Sequence, residues 1–291
     1  MTGGTSGLGA EALKLMAAEP DARILLGARG RDRVVPRRTE VVPLDLVSLQ
    51  SVRAFADGVI RRLGEARIDV LILNAGLHGA DEGKRSADGF ELTFAVNHLA
   101  HYLIARLLLP YMAQHGRVVI TSSNMHNPPF RAMAPRTTEP QLLAHPVEKG
   151  NAGIRAYSAS KLCNLMTALS LSRDEAVLAR QIEVIAFNPG LTGGVGGQDA
   201  SGLQKLIIGL VSRTIFPIVG RFRPEFNRNT AEHSGRMLAA VALGEITPPP
   251  GRHYVSLVKG EATFPDPSGK ALDRDAQHRL WNASEAMVGL S

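Results

Sequence analysis

Tyr157 and Lys161 are the residues of this 291-residue chain whose types and spacing best suit proton transfer. They stand four residues apart, which places a phenol and an ammonium on one face of a predicted helix. A free phenol has a pKa of about 10, poorly matched to neutral pH, but a nearby positive charge lowers it. Ser123, which ends a predicted strand, adds a hydrogen bond for a substrate carbonyl. Exposed helices also carry such pairs by chance, but the position after Ser123 and an Asn-Ala-Gly turn favours catalysis.

The second chemical signal is a glycine-rich loop at residues 2–9, TGGTSGLG. Glycines in this TGxxxGxG pattern let the backbone turn tightly and approach a pyrophosphate, which then lies on the N-terminus of the following helix. A glycine triplet alone also marks ordinary turns, and the motifs further along the chain favour nucleotide binding. The loop residues expected to hold the cofactor are Gly3, Thr5, Ser6, Gly7, Leu8 and Gly9.

Cofactor choice is expected at the end of the next strand. An acid there would accept hydrogen bonds from the ribose of NAD, whereas an arginine would bind the 2′-phosphate of NADP. Arg29 lies twenty positions past Gly9, and Ala28 stands where the acid is expected. The sequence therefore predicts NADP (NADPH), with an exposed arginine without a ligand as the alternative. Asp45 suits a contact to the adenine edge, or is an ordinary acid at a helix start.

Strand-like and helix-like segments alternate along the chain, which predicts an α/β fold with a doubly wound parallel sheet of the Rossmann type. No linker or repeat divides residues 1–291, so a single domain is expected. The expected strands are residues 23–28, 40–44, 68–73, 117–121, 182–187 and 253–257, and the expected helices are residues 10–18, 48–63, 90–114 and 157–172.

The N-terminus lacks the strand that normally precedes such a loop, because only Met1 stands before it. That first strand would lie at the centre of the sheet, between residues 23–28 and 68–73. We therefore expect a truncated first strand, with about six to ten apolar residues upstream of Met1. Residues 30–39 are also too short for the usual crossover helix.

Two irregular segments are expected to form the substrate mouth and lid. Residues 124–150 are rich in proline, and residues 191–202 contain five glycines. Both follow strand ends, where open α/β sheets bind ligands, and the lid region is placed at residues 191–250. An apolar pocket and a bulky lipophilic carbonyl or alcohol substrate are indicated by Phe130, Met133, Leu203, Ile207 and Phe216.

Composition restricts the partners and the location. The net charge is +6, but five arginines fall within residues 29–38, so a basic face with a cofactor-phosphate site is favoured over nucleic acid.

Cys163 is the one cysteine, which excludes an internal disulfide and favours a cytoplasmic location. Residues 203–219 are the most apolar stretch, but charges and a proline interrupt them, so no integral membrane span is expected. No cysteine–histidine cluster has zinc spacing, so no metal is expected. The sequence leaves open whether the protein forms a homo-oligomer.

At this level of detail the chain resembles the classical short-chain dehydrogenases/reductases over residues 2–192. The resemblance rests on the glycine loop, Leu44-Asp45-Leu46, Asn74-Ala75-Gly76, Asn97, the strand from Gly116 to Ser123, Tyr157 with Lys161, and Pro189-Gly190. It implies a catalytic tetrad of Asn97, Ser123, Tyr157 and Lys161, with Ser123 preferred over Ser122 because it lies seven past Gly116. It also implies that Lys161 holds the nicotinamide ribose and that Thr192 contacts the carboxamide. The remaining implied cofactor contacts are Leu46, Asn74, Ala75, Gly76, Pro189 and Gly190.

Two finer similarities narrow the branch. Residues 96–101, VNHLAH, look like the retinol dehydrogenases, while residues 157–164 and 279–290 look like the protochlorophyllide reductases. The light-driven group has a cysteine directly after its Pro-Gly, where Leu191 stands here. The resemblance therefore implies an NADP-dependent carbonyl reductase or alcohol dehydrogenase. The alternatives are a pigment reductase and a cofactor-binding sensor without turnover. His98 and His101, beside Asn97, are interpreted as a relay or as packing residues.

Overall fold

The computed structural model describes residues 1–30, 34–78, 80, 83–147, 153–192, 221 and 223–290. The described strands are β1 (Ile24–Ala28), β2 (Thr39–Pro43), β3 (Ile68–Leu73), β4 (Met112–Thr121), β5 (Glu183–Asn188), β6 (Leu191–Thr192), β7 (Arg228–Asn229), β8 (Tyr254–Val258) and β9 (Glu261–Thr263). A parallel sheet forms the centre, with strand order β2-β1 on one side and β3-β4-β5-β8-β9 on the other, and among these described strands only β9 runs antiparallel. A separate short pair, β6-β7, lies at the edge where the parallel strands end.

Met1 and Thr2 occupy the position between β1 and β3. Thr2 forms parallel bridges to both Gly27 and Leu73, and its amide donates to Ile72 O at 2.9 Å. The amino group of Met1 donates to a β1 carbonyl, and burial lowers its pKa to about 5. The predicted central place of this segment is confirmed, although pairing reaches only the carboxyl ends of the two strands. The expectation of a strand upstream of Met1 stays a prediction.

Helices cover both faces of the sheet, as the sequence predicts. On one face, α1 (Gly7–Met16) packs against α8 (Ala231–Leu243), and their apolar side chains meet those of β3, β4 and β5. On the other face lie α2 (Leu49–Leu63), α4 (Ala100–Leu108) and α6 (Ile154–Leu171). The remaining helices are α3 (Leu92–Phe94), α5 (Pro140–Ala144), α7 (Glu175–Ala179), α9 (Gly269–Leu272) and α10 (Arg274–Met287).

The prediction of one continuous α-helix over residues 90–114 is wrong about where the helix ends and about its geometry. It consists of α3, a π-helical turn over Ala95–Leu99, and α4, and a 3₁₀ turn over Leu109–Tyr111 ends it. Pro110 has no amide hydrogen and disfavours helix in the residue before it, so the chain leaves the helix there. Strand β4 then begins at Met112, which pairs with Ile68, five residues earlier than predicted.

The other predicted elements agree with the structure within about three residues, as expected for element ends. Ser48 caps α2 by accepting the Ser51 amide at 3.3 Å. No helix occurs in residues 34–38, in line with the short second crossover. Residues 203–219 and the three pocket residues Leu203, Ile207 and Phe216 lie outside the described residues.

One helical run in the described part of the chain, Leu92–Tyr111, is long and apolar enough to cross a membrane by length and composition. Of its most apolar window, 83% is buried inside the protein, which is typical of a core helix. The cytoplasmic location stays a prediction, and so does the oligomeric state.

Candidate active site

Parallel strands place all their carboxyl ends at one edge of the sheet, and the predicted site residues gather there. Arg29 follows β1, Asp45 and Leu46 follow β2, and Asn74 follows β3. Ser123 lies two residues after β4, and Pro189 follows β5 directly. The glycine loop lies between the ends of β1 and β3, because Thr2 bridges both strands. This is the edge where open α/β sheets bind ligands.

The glycine loop is packed so tightly that there is no room for a side chain at Gly3 or Gly9. Gly3 has a φ of 70°, a left-handed conformation that favours glycine. A Cβ on Gly9 would lie 1.9 Å from the Gly3 carbonyl oxygen, and the Asn74 amide donates to the same oxygen at 3.1 Å. Thr5 and Ser6 are exposed at the tip, and Leu8 is buried. Ser6 makes no side-chain cap, and no acid stands in the first turn of α1. The helix N-terminus is therefore available to an anion.

Thr2 joins the glycine loop to the Asn-Ala-Gly turn, a role that the sequence analysis did not assign. Its Oγ1 accepts the backbone amides of Asn74 at 3.0 Å and Ala75 at 3.1 Å. The side chain is only 1% exposed. Its position at the head of the TGxxxGxG pattern is the signal that could have identified it.

Tyr157, Lys161 and Ser123 come together as predicted. The Ser123 hydroxyl acts on the Tyr157 phenol and offsets part of the rise in its pKa, whereas the Ser122 hydroxyl donates to the Lys161 backbone carbonyl at 2.9 Å. The preference for Ser123 over Ser122 therefore agrees with the geometry. Lys161 Nζ donates to the Thr121 carbonyl at 3.1 Å and lies 5.6 Å from the centre of the Tyr157 ring.

The predicted lowering of the Tyr157 pKa is wrong for the protein alone. Burial raises the pKa of Tyr157 to about 12, and the hydrogen bond from Ser123 offsets only part of that effect. The ammonium of Lys161 lies over the ring face, and burial lowers its own pKa to about 8. Desolvation disfavours the charged form of both groups.

Asn97 lies in the π-helical turn, completely buried. Its side chain accepts the Leu77 amide at 2.7 Å and donates to the Leu77 carbonyl at 2.9 Å. A second donation reaches Ser160 Oγ at 3.0 Å. Single π-turns inside helices are frequent at functional sites. This turn fixes Asn97 against the segment that follows the Asn-Ala-Gly turn.

The surroundings of Gly76 show how close together Asn97 and Lys161 lie. A Cβ there would lie 3.3 Å from Asn97 Oδ1 and 3.5 Å from Lys161 Nζ. His78, two residues further on, stacks on the Tyr157 ring with centroids 4.7 Å apart. The sequence analysis missed His78, whose only signal is its place just after a strand end. Together these residues line a cradle beside the phenol.

The outer cofactor residues lie where the sequence places them. Arg29 is exposed at the end of β1, while Ala28 is buried. Asp45 is exposed, and one of its oxygens accepts the Val47 amide at 3.2 Å. Leu46 is half-buried and packs against the core. Arg31 and Arg33, expected to assist Arg29, lie outside the described residues.

Thr192 and the Pro189-Gly190 turn close the site on the other side. The Thr192 hydroxyl bonds Ser234 Oγ on α8 at 3.0 Å, and Ser234 also donates to the Pro189 carbonyl at 3.0 Å. Buried Asn188 accepts the Gly190 amide at 3.1 Å, which shapes the turn. The sequence analysis did not assign Asn188 or Ser234.

The two predicted pocket residues that the structure describes, Met133 and Phe130, are both apolar but differ in how far they are buried. Met133 packs beside Tyr157 with Met125 and Phe226, whereas Phe130 is 41% exposed. No three His, Cys, Asp or Glu side chains in the described ranges lie close enough together to hold a metal ion.

The donor set fits a dinucleotide. A helix N-terminus without a side-chain cap, a loop with no room for a Cβ at Gly3 or Gly9, and an exposed arginine meet at the same sheet edge as a buried phenol and ammonium. The helix N-terminus and the glycine loop suit the phosphates of a dinucleotide.

Comparison with known proteins agrees with this geometry. The family model described as short chain dehydrogenase matches residues 1–135. Protochlorophyllide reductase of Avena sativa is 30% identical, with 100% of this chain and 99% of that protein covered. Retinol dehydrogenase 14 of Mus musculus is 29% identical, with 100% of this chain and 85% of that protein covered.

A solved structure shows the same fold. An uncharacterised protein from Mycobacterium Paratuberculosis has a TM-score of 0.70 at 27% identity, with 99% of this chain and 91% of that chain covered. The chain belongs to the short-chain dehydrogenases/reductases. Within that family of NAD(P)-dependent oxidoreductases, it falls in the branch of the retinol dehydrogenases and protochlorophyllide reductases.

Proposed function

We propose that the protein is an NADP-dependent oxidoreductase that interconverts a carbonyl and an alcohol on a bulky lipophilic substrate. The observation that carries the proposal is the position of the Lys161 ammonium over the Tyr157 ring, with Ser123 acting on the same phenol and Asn97 lying near Lys161 at Gly76. These groups lie at the sheet edge that also holds the glycine loop. A proton donor next to a dinucleotide cradle is what carbonyl reduction requires.

Each residue has a task in that reaction. NADPH held at the glycine loop would supply the hydride that the carbonyl carbon accepts. Tyr157 gives its phenolic proton to the carbonyl oxygen, and Ser123 holds that oxygen through a hydrogen bond. Lys161 stabilises negative charge on the phenol and binds the nicotinamide ribose. Asn97 fixes the segment after the Asn-Ala-Gly turn, and Thr192 contacts the carboxamide.

The preference for NADP rests on the end of β1. Arg29 is exposed there, and the buried Ala28 before it offers no carboxylate to ribose hydroxyls. A guanidinium binds a 2′-phosphate through two parallel hydrogen bonds. Gly3, Gly7 and Gly9 bring the backbone to the pyrophosphate, and Asp45 lies where it can meet the adenine.

The lipophilic substrate is supported by the surroundings of the phenol. Met125, Met133 and Phe226 pack against Tyr157, and the adjoining segment presents Phe130 to solvent. An apolar wall stabilises an apolar substrate by removing its surface from water. A sugar would leave its hydroxyls facing these side chains without hydrogen-bond partners.

A pigment reductase is the second candidate, favoured by the 30% identity to protochlorophyllide reductase over nearly its whole length. Leu191 after Pro189-Gly190 supports ordinary dark hydride transfer instead. Assaying protochlorophyllide and a panel of lipophilic ketones and aldehydes with NADPH, in darkness and in light, separates the two. Turnover that needs light would favour the pigment reductase.

The Tyr157→Phe variant tests the mechanism on whichever substrate is turned over. It should keep its NADPH dissociation constant and lose at least about a hundredfold in kcat, because only the proton donor is removed. Tyr102→Phe is the matched control, since that buried hydroxyl bonds Arg106 away from the site. Near-normal kcat in Tyr157→Phe would contradict the assignment. NADPH binding without turnover of any substrate would favour the sensor.

A further inference from the structure

His101 lies buried between the glycine loop and the catalytic asparagine, and the proposed mechanism does not use it. The ring is 2% exposed and lies in α4, four residues after Asn97. Its Nδ1 is 3.1 Å from the Asn97 backbone carbonyl, and its Nε2 is 3.0 Å from Thr2 Oγ1. One imidazole thus contacts two segments that hold the cofactor cradle together.

The hydrogen bonds fix where the proton of this ring must lie. A carbonyl oxygen can only accept, so Nδ1 carries the hydrogen. Thr2 Oγ1 already accepts the amides of Asn74 and Ala75, at 3.0 Å and 3.1 Å. Its own hydrogen is therefore left to donate, and a neutral Nε2 accepts it. Burial lowers the pKa of His101 to about 4, with a smaller contribution from the charge of Lys161, so the ring is neutral near pH 7.

The Asn97 carbonyl belongs to the π-helical turn, in which the Ala100 amide bonds the Ala95 carbonyl, five residues back rather than four. A carbonyl oxygen has two lone pairs, so the Asn97 oxygen can accept the hydrogen of the His101 ring in addition to a backbone amide.

We propose that His101 is a positioning residue, which as the neutral Nδ1–H form ties the Asn97 turn to Thr2 and thereby sets the glycine loop and the Asn-Ala-Gly turn for NADPH. This inference rests on the proposed function. His101 does not touch the reacting atoms. It acts through Thr2, whose hydroxyl holds the Asn74 and Ala75 amides, and through the carbonyl of Asn97.

Three substitutions separate the two contacts. His101→Gln keeps an acceptor near the place of Nε2, His101→Asn keeps a donor near the place of Nδ1, and His101→Leu keeps neither. His101→Leu should weaken NADPH binding by at least about tenfold, and His101→Gln should weaken it less, because it keeps the contact with Thr2, whose hydroxyl holds the Asn74 and Ala75 amides. His101→Asn should bind NADPH weakly, like His101→Leu.

Leu103→Ala is the matched control for general loss of stability. Leu103 lies in the same helix, is fully buried and belongs to the apolar core. It should melt at a lower temperature with an unchanged NADPH dissociation constant. A purely structural role for His101 would give its three variants this same behaviour, and the inference would then be wrong.

Nitrogen-15 NMR of the imidazoles in the unmodified protein tests the tautomer without any cofactor, with the His101 signal assigned by its absence from His101→Gln. A proton on Nδ1 at pH 7 is expected, and a proton on Nε2 or a doubly protonated ring would overturn the inference. If His101→Leu does not fold, the contrast between the glutamine and asparagine variants still decides. If the unmodified protein bound no NADPH, the proposed function would be wrong. The position of the ring proton would still show whether His101 links the Asn97 carbonyl to Thr2.

Discussion

Replacing Lys161 by methionine should stabilise the protein at pH 7 while it removes turnover. The ammonium is 3% exposed, and among the residues that the structure describes no carboxylate forms an ion pair with it. Burial is the cause that lowers its pKa from 10.5 to about 8. That difference corresponds to about 3 kcal/mol of cost for holding the charge inside at neutral pH.

The contacts of the ammonium offset part of this cost. Its hydrogen bond to the Thr121 carbonyl contributes about 1 kcal/mol, and its position over the Tyr157 ring about 1 kcal/mol. The carbonyl keeps a partner after the substitution, because Asn164 also donates to it at 3.1 Å. The expected gain is therefore about 1 kcal/mol, or about 2 °C in Tm for a chain of this size.

The pH dependence gives the prediction its sign. The unfolded chain keeps the Lys161 proton up to a pKa of 10.5, whereas the folded protein releases it near 8. The unmodified protein therefore gains stability between pH 8 and 10.5, by up to about 3 kcal/mol. Lys161→Met cannot gain it, so the variant should be more stable at pH 7 and less stable at pH 10.

Urea unfolding without cofactor, followed by circular dichroism at pH 7 and pH 10, measures both differences. Lys14→Met is the control, because Lys14 is exposed and should change stability by less than about 0.5 kcal/mol at either pH. A Lys161→Met variant that is less stable at pH 7, or that differs by the same amount at both values, would refute the reasoning.

Three further predictions follow from other parts of the molecule. The unmodified protein should bind NADPH at least about tenfold tighter than NADH, and Arg29→Ala should reduce that ratio, as fluorescence titration with both cofactors would show. Stability should fall as pH drops from 6.5 towards 4, because burial lowers the pKa of His98 to about 3 and of His101 to about 4 while the unfolded chain takes up both protons. Burial also lowers the pKa of His78 to about 4 and lowers the pKa of His126. Each buried histidine contributes a slope of up to about 1.4 kcal/mol per pH unit, so His98→Gln should reduce the slope of the unfolding free energy by about that amount. Gly9→Ala should abolish NADPH binding in the same titration, since its Cβ would lie 1.9 Å from a carbonyl oxygen, whereas Gly269→Ala has open space and should bind normally.

The sequence predicted that the candidate site residues would come together, because these residues lie at strand ends. In a parallel sheet the order of strands along the chain and the common direction of their ends place Asn74, Ser123 and Pro189 at one edge. Each of these residues follows a short apolar run that is recognisable by itself. The proximity of Tyr157 and Lys161 on one helix could be predicted from the α-helical period alone.

The end of the helix before β4 could not be predicted in the same way. Residues 103–112 continue the apolar pattern of the helix, so periodicity gives no boundary there. The change is set by Pro110 and by the pairing of Met112 with Ile68, which is distant in sequence. The π-helical turn has no sequence pattern either, because it depends on the contacts of Asn97 with Leu77 and Ser160.

The pKa of Tyr157 shows what spacing alone cannot decide. Four residues of separation place Lys161 near the phenol, but burial raises the pKa of Tyr157 and Ser123 offsets only part of that effect. With a pKa raised to about 12, the phenol keeps its proton at neutral pH. The protein alone is thus prepared to donate a proton, as carbonyl reduction requires, whereas alcohol oxidation needs additional positive charge near the phenol. The desolvation that makes Lys161 costly to fold is therefore the same effect that keeps Tyr157 protonated until a substrate arrives.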